Sequence, residues 1–203
     1  ENASKLQTVE QWGTIQWSSM EGAFAGAENL ELQTDDLPYL SNVTNMAGMF
    51  AGASAMTAVN SGIENWSTGT VTDMGRMFQS ATLFNQNINA WDTDSLTRIV
   101  AMFNGAQSFD QPLDNWDTSQ VTDMSGVFLD AGSFDGDISN WNVSGVTNMR
   151  FMFAQAKSFN QDISNWNVSN VEVASGFFGG IFAGAESFNQ DISDWDLRNV
   201  TDM

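Results

Sequence analysis

The sequence predicts an α/β repeat solenoid, a horseshoe of about seven 25-residue repeats with short parallel strands on one face and helical turns on the other. Three observations carry that prediction. Trp66, Trp91, Trp116, Trp141 and Trp166 recur every 25 residues, and Trp195 follows after 29. Phe78, Phe103, Phe128 and Phe153 keep the same step, and Phe182 follows after the same longer interval. Val71, Leu96, Val121, Val146, Val171 and Val200 each stand five residues after a Trp. A fixed period of this size marks a repeat architecture, so candidate residues are read as columns of equivalent positions.

Taken in order, residues 1–27 are expected to form a degenerate N-terminal cap, and residues 28–203 a single array whose last repeat is truncated. Leu6, Val9, Trp12 and Trp17 are spaced to cover the open end of a core, and Met20 to Ala27 repeats the form of Met49 to Ala53. In residues 28–50, Leu30, Leu32 and Leu37 stand where later repeats place Phe, Ile and Trp. Residues 51–78 are longer and carry Asn60-Ser61-Gly62 as a loop, and the regular units end near Phe103, Phe128 and Phe153. The unit after Trp166 gains four residues around Ser175 to Gly180, read as tolerated length variation ahead of a binding loop. The chain opens at Glu1 and stops within a repeat, which reads as a piece of a longer polypeptide.

Each repeat has two parts. Asn165-Trp166-Asn167-Val168 alternates, which predicts a short strand with Trp and Val on one face. Val146 to Ala156 spaces its apolar residues as a helical turn does, with Met and Phe inward. One alternative register stays open: the Val-Thr-Asp-Met stretch is the sheet, and it exposes columns of Thr and Asp.

Composition narrows the chemistry. A hydrophobic share of 42% supports a continuous core. The net charge of −19 disfavours nucleic acid and anionic membranes as partners and favours cations. With no Cys and no His, thiolate or imidazole zinc sites and Ser-His-Asp or Cys-His catalysis are excluded. No apolar run is long enough for a membrane-spanning helix, so membrane insertion is not expected. The carboxylates fall in periodic columns with no unique acid-base pair, so an enzyme is not expected.

With Trp inward, the residues beside it point outward and become ladders at a spacing of about 4.8 Å. The position after Trp reads Ser67, Asp92, Asp117, Asn142, Asn167 and Asp196. The position before it reads Asn65, Ala90, Asn115, Asn140, Asn165 and Asp194. Calcium takes several oxygen ligands of these kinds. The candidate metal ligands are therefore Asp92, Asp117, Asn140, Asn142, Asn165, Asn167, Asp194 and Asp196. A solvated polar face accounts for the same columns, with Asn chosen for turn hydrogen bonds and Asp for solubility. The net charge and the family resemblance below bring calcium level with that reading. Asp137, Asp162 and Asp191, each before an Ile, read as turn residues. Thr72-Asp73, Thr122-Asp123 and Thr201-Asp202 read as helix-start caps. Gln86, Gln111, Gln161 and Gln190 read as hydrogen-bond ladders.

The recurring I-x-x-W-x-V-x-x-V-x-x-M resembles the L-x-x-I-x-I-P-x-x-V-x-x-I of BspA-like leucine-rich repeats. The N-W-D-V-S-N-V-T-D-M-x-x-M-F form resembles that family's Trp-containing branch, found in bacterial adhesins and mycoplasma lipoproteins. The resemblance runs from about Met20 to the end of the chain. It implies a leucine-rich-repeat-like fold, an extracellular cell-surface location, and binding to a protein or glycan on another cell surface. The expected function is an adhesion or self-associating module, with calcium on the Asp/Asn ladders joining it to a partner or to a second copy in a homodimer. The alternative is a passive structural spacer without metal or specific ligand.

Overall fold

A computed structural model describes residues 3–174 and 180–201. The repeat is present in three dimensions: equivalent positions of successive units lie beside one another and share backbone hydrogen bonds. The predicted α/β solenoid is not. Among the described residues, regular structure is limited to two 3-10 turns, Ala3–Lys5 and Ile63–Asn65, and two short parallel strands. The strands are β1 (Thr8–Val9) and β2 (Glu31–Leu32). Among the described residues no α-helix forms, and each unit is a rung of turns and coil.

The reason lies in the segment predicted to be helical. In the rung of Met74, inward residues fall at Met74, Met77, Phe78 and Ala81, all buried. That is the i, i+3, i+4, i+7 spacing of an amphipathic helix. The backbone reaches it differently. Met77 N–H donates to the Met74 carbonyl, Gln79 to Arg76 and Ala81 to Phe78, each at 3.1 Å, closing three overlapping turns. The residues between them donate to the next rung: Met74 to Arg98, Arg76 to Val100 and Phe78 to Met102 at 2.9 Å, and Ser80 to Asn104 at 2.7 Å. Two residues per rung, four apart, are left-handed: Gly48 and Gly52, Arg76 and Ser80, Ala101 and Gly105, Gly126 and Asp130, Phe151 and Gln155. A left-handed residue at every fourth position blocks an α-helix and suits the third position of a type II turn.

The predicted strand is also displaced. Asn165 to Val168 is turn and coil. Parallel bridges instead join Asn45 to Asp73, Asp73 to Arg98, Asp123 to Asn148 and Asn148 to Val173. Pairing therefore follows the Val-Thr-Asp-Met column, the alternative register. Asp73 Oδ1 accepts the Gly75 N–H at 2.8 Å and Asp123 Oδ1 that of Ser125 at 2.8 Å, so the expected helix caps are turn caps with no helix after them. Asp202 and the loop around Ser175 to Gly179 lie outside the described residues.

Trp points inward, as expected. Trp66, Trp91, Trp116, Trp141 and Trp166 are at most 5% exposed. Stacked indoles lie 6.2 Å apart for Trp66–Trp91 and 6.4 Å for Trp141–Trp166, with interplanar angles of 7° and 2°. Two Phe columns complete the core. Phe103 stacks on Phe128 of the next rung at 5.6 Å and on Phe109 of its own rung at 4.1 Å. Each aromatic pair adds about 0.5–1.5 kcal/mol beyond burial. Four of the indole N–H groups, those of Trp91, Trp116, Trp141 and Trp195, also reach back one rung: Trp91 Nε1 donates to the Ile63 carbonyl at 2.8 Å, and Trp141 Nε1 to that of Leu113 at 2.8 Å.

The first units depart from the pattern. The Val43 N–H closes a turn on the Leu40 carbonyl as Val71 does on Thr68, which aligns Leu40 with Thr68. Pro38, which is buried, thus occupies the Trp position that the spacing gives to Leu37, and Leu37 is 45% exposed. Trp12 of the leading segment makes up for the missing indole. It packs edge-on against Trp66 at 5.5 Å and against Phe24 at 5.9 Å.

Candidate functional site

Because Trp is buried, the position after it faces out, and here the side-chain oxygens have a local task. Asp92 Oδ1 accepts the Asp94 N–H at 3.1 Å, and Asp117 Oδ1 that of Ser119 at 2.8 Å. Asn142 Oδ1 accepts both the Ser144 N–H at 3.1 Å and its hydroxyl at 2.7 Å. Asn167 does the same with Ser169, at 3.2 and 2.7 Å. These are turns closed by an Asx side chain two residues upstream, which is why the column is Asp or Asn in the regular rungs. Asp196 is committed further. It accepts the Arg198 N–H at 3.2 Å, Nε at 2.8 Å and Nη2 at 2.6 Å. The Arg198 hydrogen bonds hold its carboxyl down at about 2.

The column before Trp is looser. Asn140, Asn165 and Asp194 are exposed, and Asn165 Nδ2 donates to the Ser139 carbonyl of the previous rung at 3.3 Å. The two columns thus stand on the outside of the stack, but the carboxylates are dilute. Asp92 and Asp117 occupy successive rungs, Asn142 and Asn167 the next two. Among the described residues, no group of three or more Asp or Glu is arranged to hold a metal ion.

The residues before Ile close turns of the same kind. Asp137 Oδ1 accepts the Ser139 N–H at 2.8 Å, Asp162 Oδ1 that of Ser164 at 3.0 Å, and Asp191 Oδ1 that of Ser193 at 2.9 Å. Hydrogen bonds from Ser164 and Ser193 pull the Asp162 and Asp191 carboxyls below the usual carboxylate range. The Gln ladders form as well: Gln161 Nε2 donates to the Asp135 carbonyl at 2.7 Å and Gln190 Nε2 to that of Asn160 at 2.9 Å.

One ladder escaped the sequence reading. Asn85, Asp110, Asp135 and Asn160 each accept the N–H of the equivalent residue one rung on. The distances are 2.9 Å to Asp110, 2.8 Å to Asp135, 2.8 Å to Asn160 and 3.0 Å to Asn189. The signal was the invariable Asn or Asp after the second Phe of each rung. A second exposed column runs through Thr44, Thr72, Thr97, Thr122 and Thr147 along the bridge line. Thr97 Oγ1 donates to the Thr72 carbonyl at 3.0 Å, and Thr147 Oγ1 to that of Thr122 at 3.3 Å.

This surface is made of hydroxyl, carboxamide and carboxylate groups at fixed intervals on a rigid aromatic core. It can offer repeated hydrogen bonds to an extended partner. Among the described residues, no helix is long and apolar enough to cross a membrane.

Comparison with known proteins gives one family. Its profile matches three overlapping stretches, residues 1–115, 54–143 and 108–203, which together span the chain. No curated protein and no solved structure matches. The overlapping matches restate the periodicity seen in the aromatic columns, and the chain belongs to the repeat family described as "Mycoplasma protein of unknown function, DUF285".

Proposed function

We propose that the chain is an adhesion module of a bacterial surface protein, displayed outside the cell, that binds a protein or glycan of another cell surface or a second copy of itself. The observation that carries this reading is the division of labour in each rung. Trp and Phe fill the core, and the positions beside them present polar side chains to solvent at most steps. A stack of this kind makes a long binding face from short repeats. The resemblance of the N-W-D-V-S-N-V-T-D-M stretch to Trp-containing BspA-like repeats supports the same reading.

Calcium belongs to this proposal at Asp92 and Asp117, the two candidate ligands that are carboxylates on successive rungs. Each uses Oδ1 in its turn, which leaves Oδ2 for a cation. Calcium takes six to eight oxygens, so the facing ladder of a second copy and water complete the shell. Asn140 and Asn165 offer amide oxygens along the same face, whereas the Oδ1 atoms of Asn142 and Asn167 are each taken by two hydrogen bonds, from Ser144 and Ser169 respectively. Asp194 and Asp196 lie at the far end, where Arg198 competes for Asp196.

The test is binding of the labelled chain to whole cells, before and after the cells are treated with protease or glycosidase, in chelator and in millimolar calcium. Saturable binding that one of the two treatments removes supports adhesion, and absence of binding to every surface, with a monomer throughout, returns the chain to a passive spacer. Light scattering in the same two buffers reads the calcium part: an unchanged mass and melting temperature removes the metal from the proposal.

A further inference from the structure

Exposed large apolar side chains gather in the first rungs, with Leu83 and Leu197 the exceptions further along among the described residues. Ile15, Tyr39 and Val59 are each 54% exposed, and Leu37 is 45% exposed. The turn closed by Val43 on Leu40 places Tyr39 in the column of Ser67, Asp92, Asp117, Asn142, Asn167 and Asp196. A tyrosine thus stands where the other rungs put a small polar residue. It is the only tyrosine of the chain.

Tyr39 borders a groove of about 530 Å³ whose walls include Gln11, Thr14, Asp36, Leu37 and Ser67. The groove is built by a specific clamp. Asp36 accepts the Trp12 N–H at 2.8 Å on one carboxylate oxygen and the Gly13 N–H at 2.7 Å on the other. This fixes the leading segment across from the rung of Tyr39 and seats Trp12 against Trp66. Both oxygens of Asp36 are thereby engaged, so the carboxylate is poorly placed to capture a cation. No Lys or Arg lines the groove, and the chain carries a net charge of −19, so anions are repelled. What faces the groove is one half-exposed aromatic ring, the Leu37 and Pro38 side chains, the engaged Asp36 carboxylate, a carboxamide and two hydroxyls. A ring with an apolar face beside a few hydrogen-bonding groups suits a ligand that is apolar on its C–H face and polar at its edge.

We propose that this groove is a binding site for a neutral glycan. One sugar ring stacks on the Tyr39 ring, and Gln11, Thr14 and Ser67 hydrogen-bond its hydroxyls. The site names a ligand class for the adhesion reading and rests on it, but uses none of the calcium candidates.

The single tyrosine makes the test selective. The full chain is prepared with 3-fluorotyrosine, which gives one fluorine resonance, and is titrated with cellohexaose, maltohexaose, laminarihexaose and chitohexaose, and with sialyllactose as an anionic control. At least one neutral sugar should shift the resonance saturably, and sialyllactose should not. By calorimetry with that sugar, Tyr39→Phe should keep the affinity, and Tyr39→Ser should weaken it by about tenfold or more with no loss of melting temperature. A resonance that no neutral sugar moves, or a Tyr39→Ser chain that binds as well as the parent, overturns the site. Cell binding by the Tyr39→Ser chain separates the two claims. If it persists while no sugar moves Tyr39, only the site is wrong. If sugars move Tyr39 and the parent chain binds no cells, the adhesion reading is wrong.

Discussion

Ala101 and Phe151 hold left-handed backbone at φ 54° and 57°, at the position where other rungs have Gly48 and Gly126. A side chain there costs about 1–2 kcal/mol, and glycine loses about 0.5–1 kcal/mol through its freer unfolded chain. Ala101→Gly should therefore raise stability by roughly 0.5 kcal/mol in urea unfolding, and Gly126→Ala should lower it. A stabilising Gly126→Ala would mean that the turn is not left-handed at that position. Titration speaks at the same scale. Asp162 and Asp191 are lowered from 3.8, and Asp196 is lowered from 3.8 to about 2. Groups with depressed folded values stabilise above the unfolded value and lose that contribution as pH falls through the folded one. Melting temperature should thus be insensitive to these three groups near neutrality and should fall as pH drops from 3.8 toward about 2. Arg198→Ala should move the lower limb of that fall upward, toward the ordinary carboxylate range. A curve identical to the parent's would remove the Arg198 pairing. At this scale the sequence was legible in part. The outward Asp and Asn columns were found, but an Asx turn and a calcium ligand call for the same residue types, so periodicity alone did not assign their oxygens.

A rung of overlapping turns and an amphipathic helix bury the same positions, and this is why the helical expectation failed. Met74, Met77, Phe78 and Ala81 satisfy the helical spacing with N–H groups that alternate between a local turn and the next rung. The repeated glycines at Gly22 and Gly26, and at Gly48 and Gly52, were the visible sign against a helix. In later rungs, Arg76, Ser80 and Phe151 hide it by taking the same conformation. The strand was misplaced for a similar reason: Asn165 to Val168 alternates in burial without pairing. The Trp column and the column from Phe78 to Phe182 were legible, since a buried stack needs the same large side chain at each step, whereas the column of Phe84, Phe109, Phe134, Phe159 and Phe188 was not read as one. Trp116 sits in the middle of that stack, 6.3 Å from Trp91 and 6.4 Å from Phe103, with its Nε1 donating to the Ile88 carbonyl at 3.2 Å. Trp116→Ala should cost about 3–5 kcal/mol. Trp195→Ala, in the last described rung, should cost less. Equal losses in denaturant unfolding would mean that the indoles do not stack cooperatively.

At the scale of the whole molecule, the chain is an aromatic column wrapped in turns, with most of its charge of −19 on the outside. What the spacing did not make legible was that Pro38 takes the Trp place and leaves Tyr39 in a polar column. The spacing of Leu37 pointed one residue away, and only the turn on Leu40 fixes the register. Every outward column depends on that stacking of rungs through alternate N–H groups. The direct measurement is scalar coupling across hydrogen bonds by NMR, read for Arg76 and Phe78. A stack of turn rungs predicts coupling from the Arg76 nitrogen to the Val100 carbonyl carbon and from Phe78 to Met102. Coupling from Arg76 and Phe78 to carbonyls four residues earlier would mean a helix, and would contradict the stack.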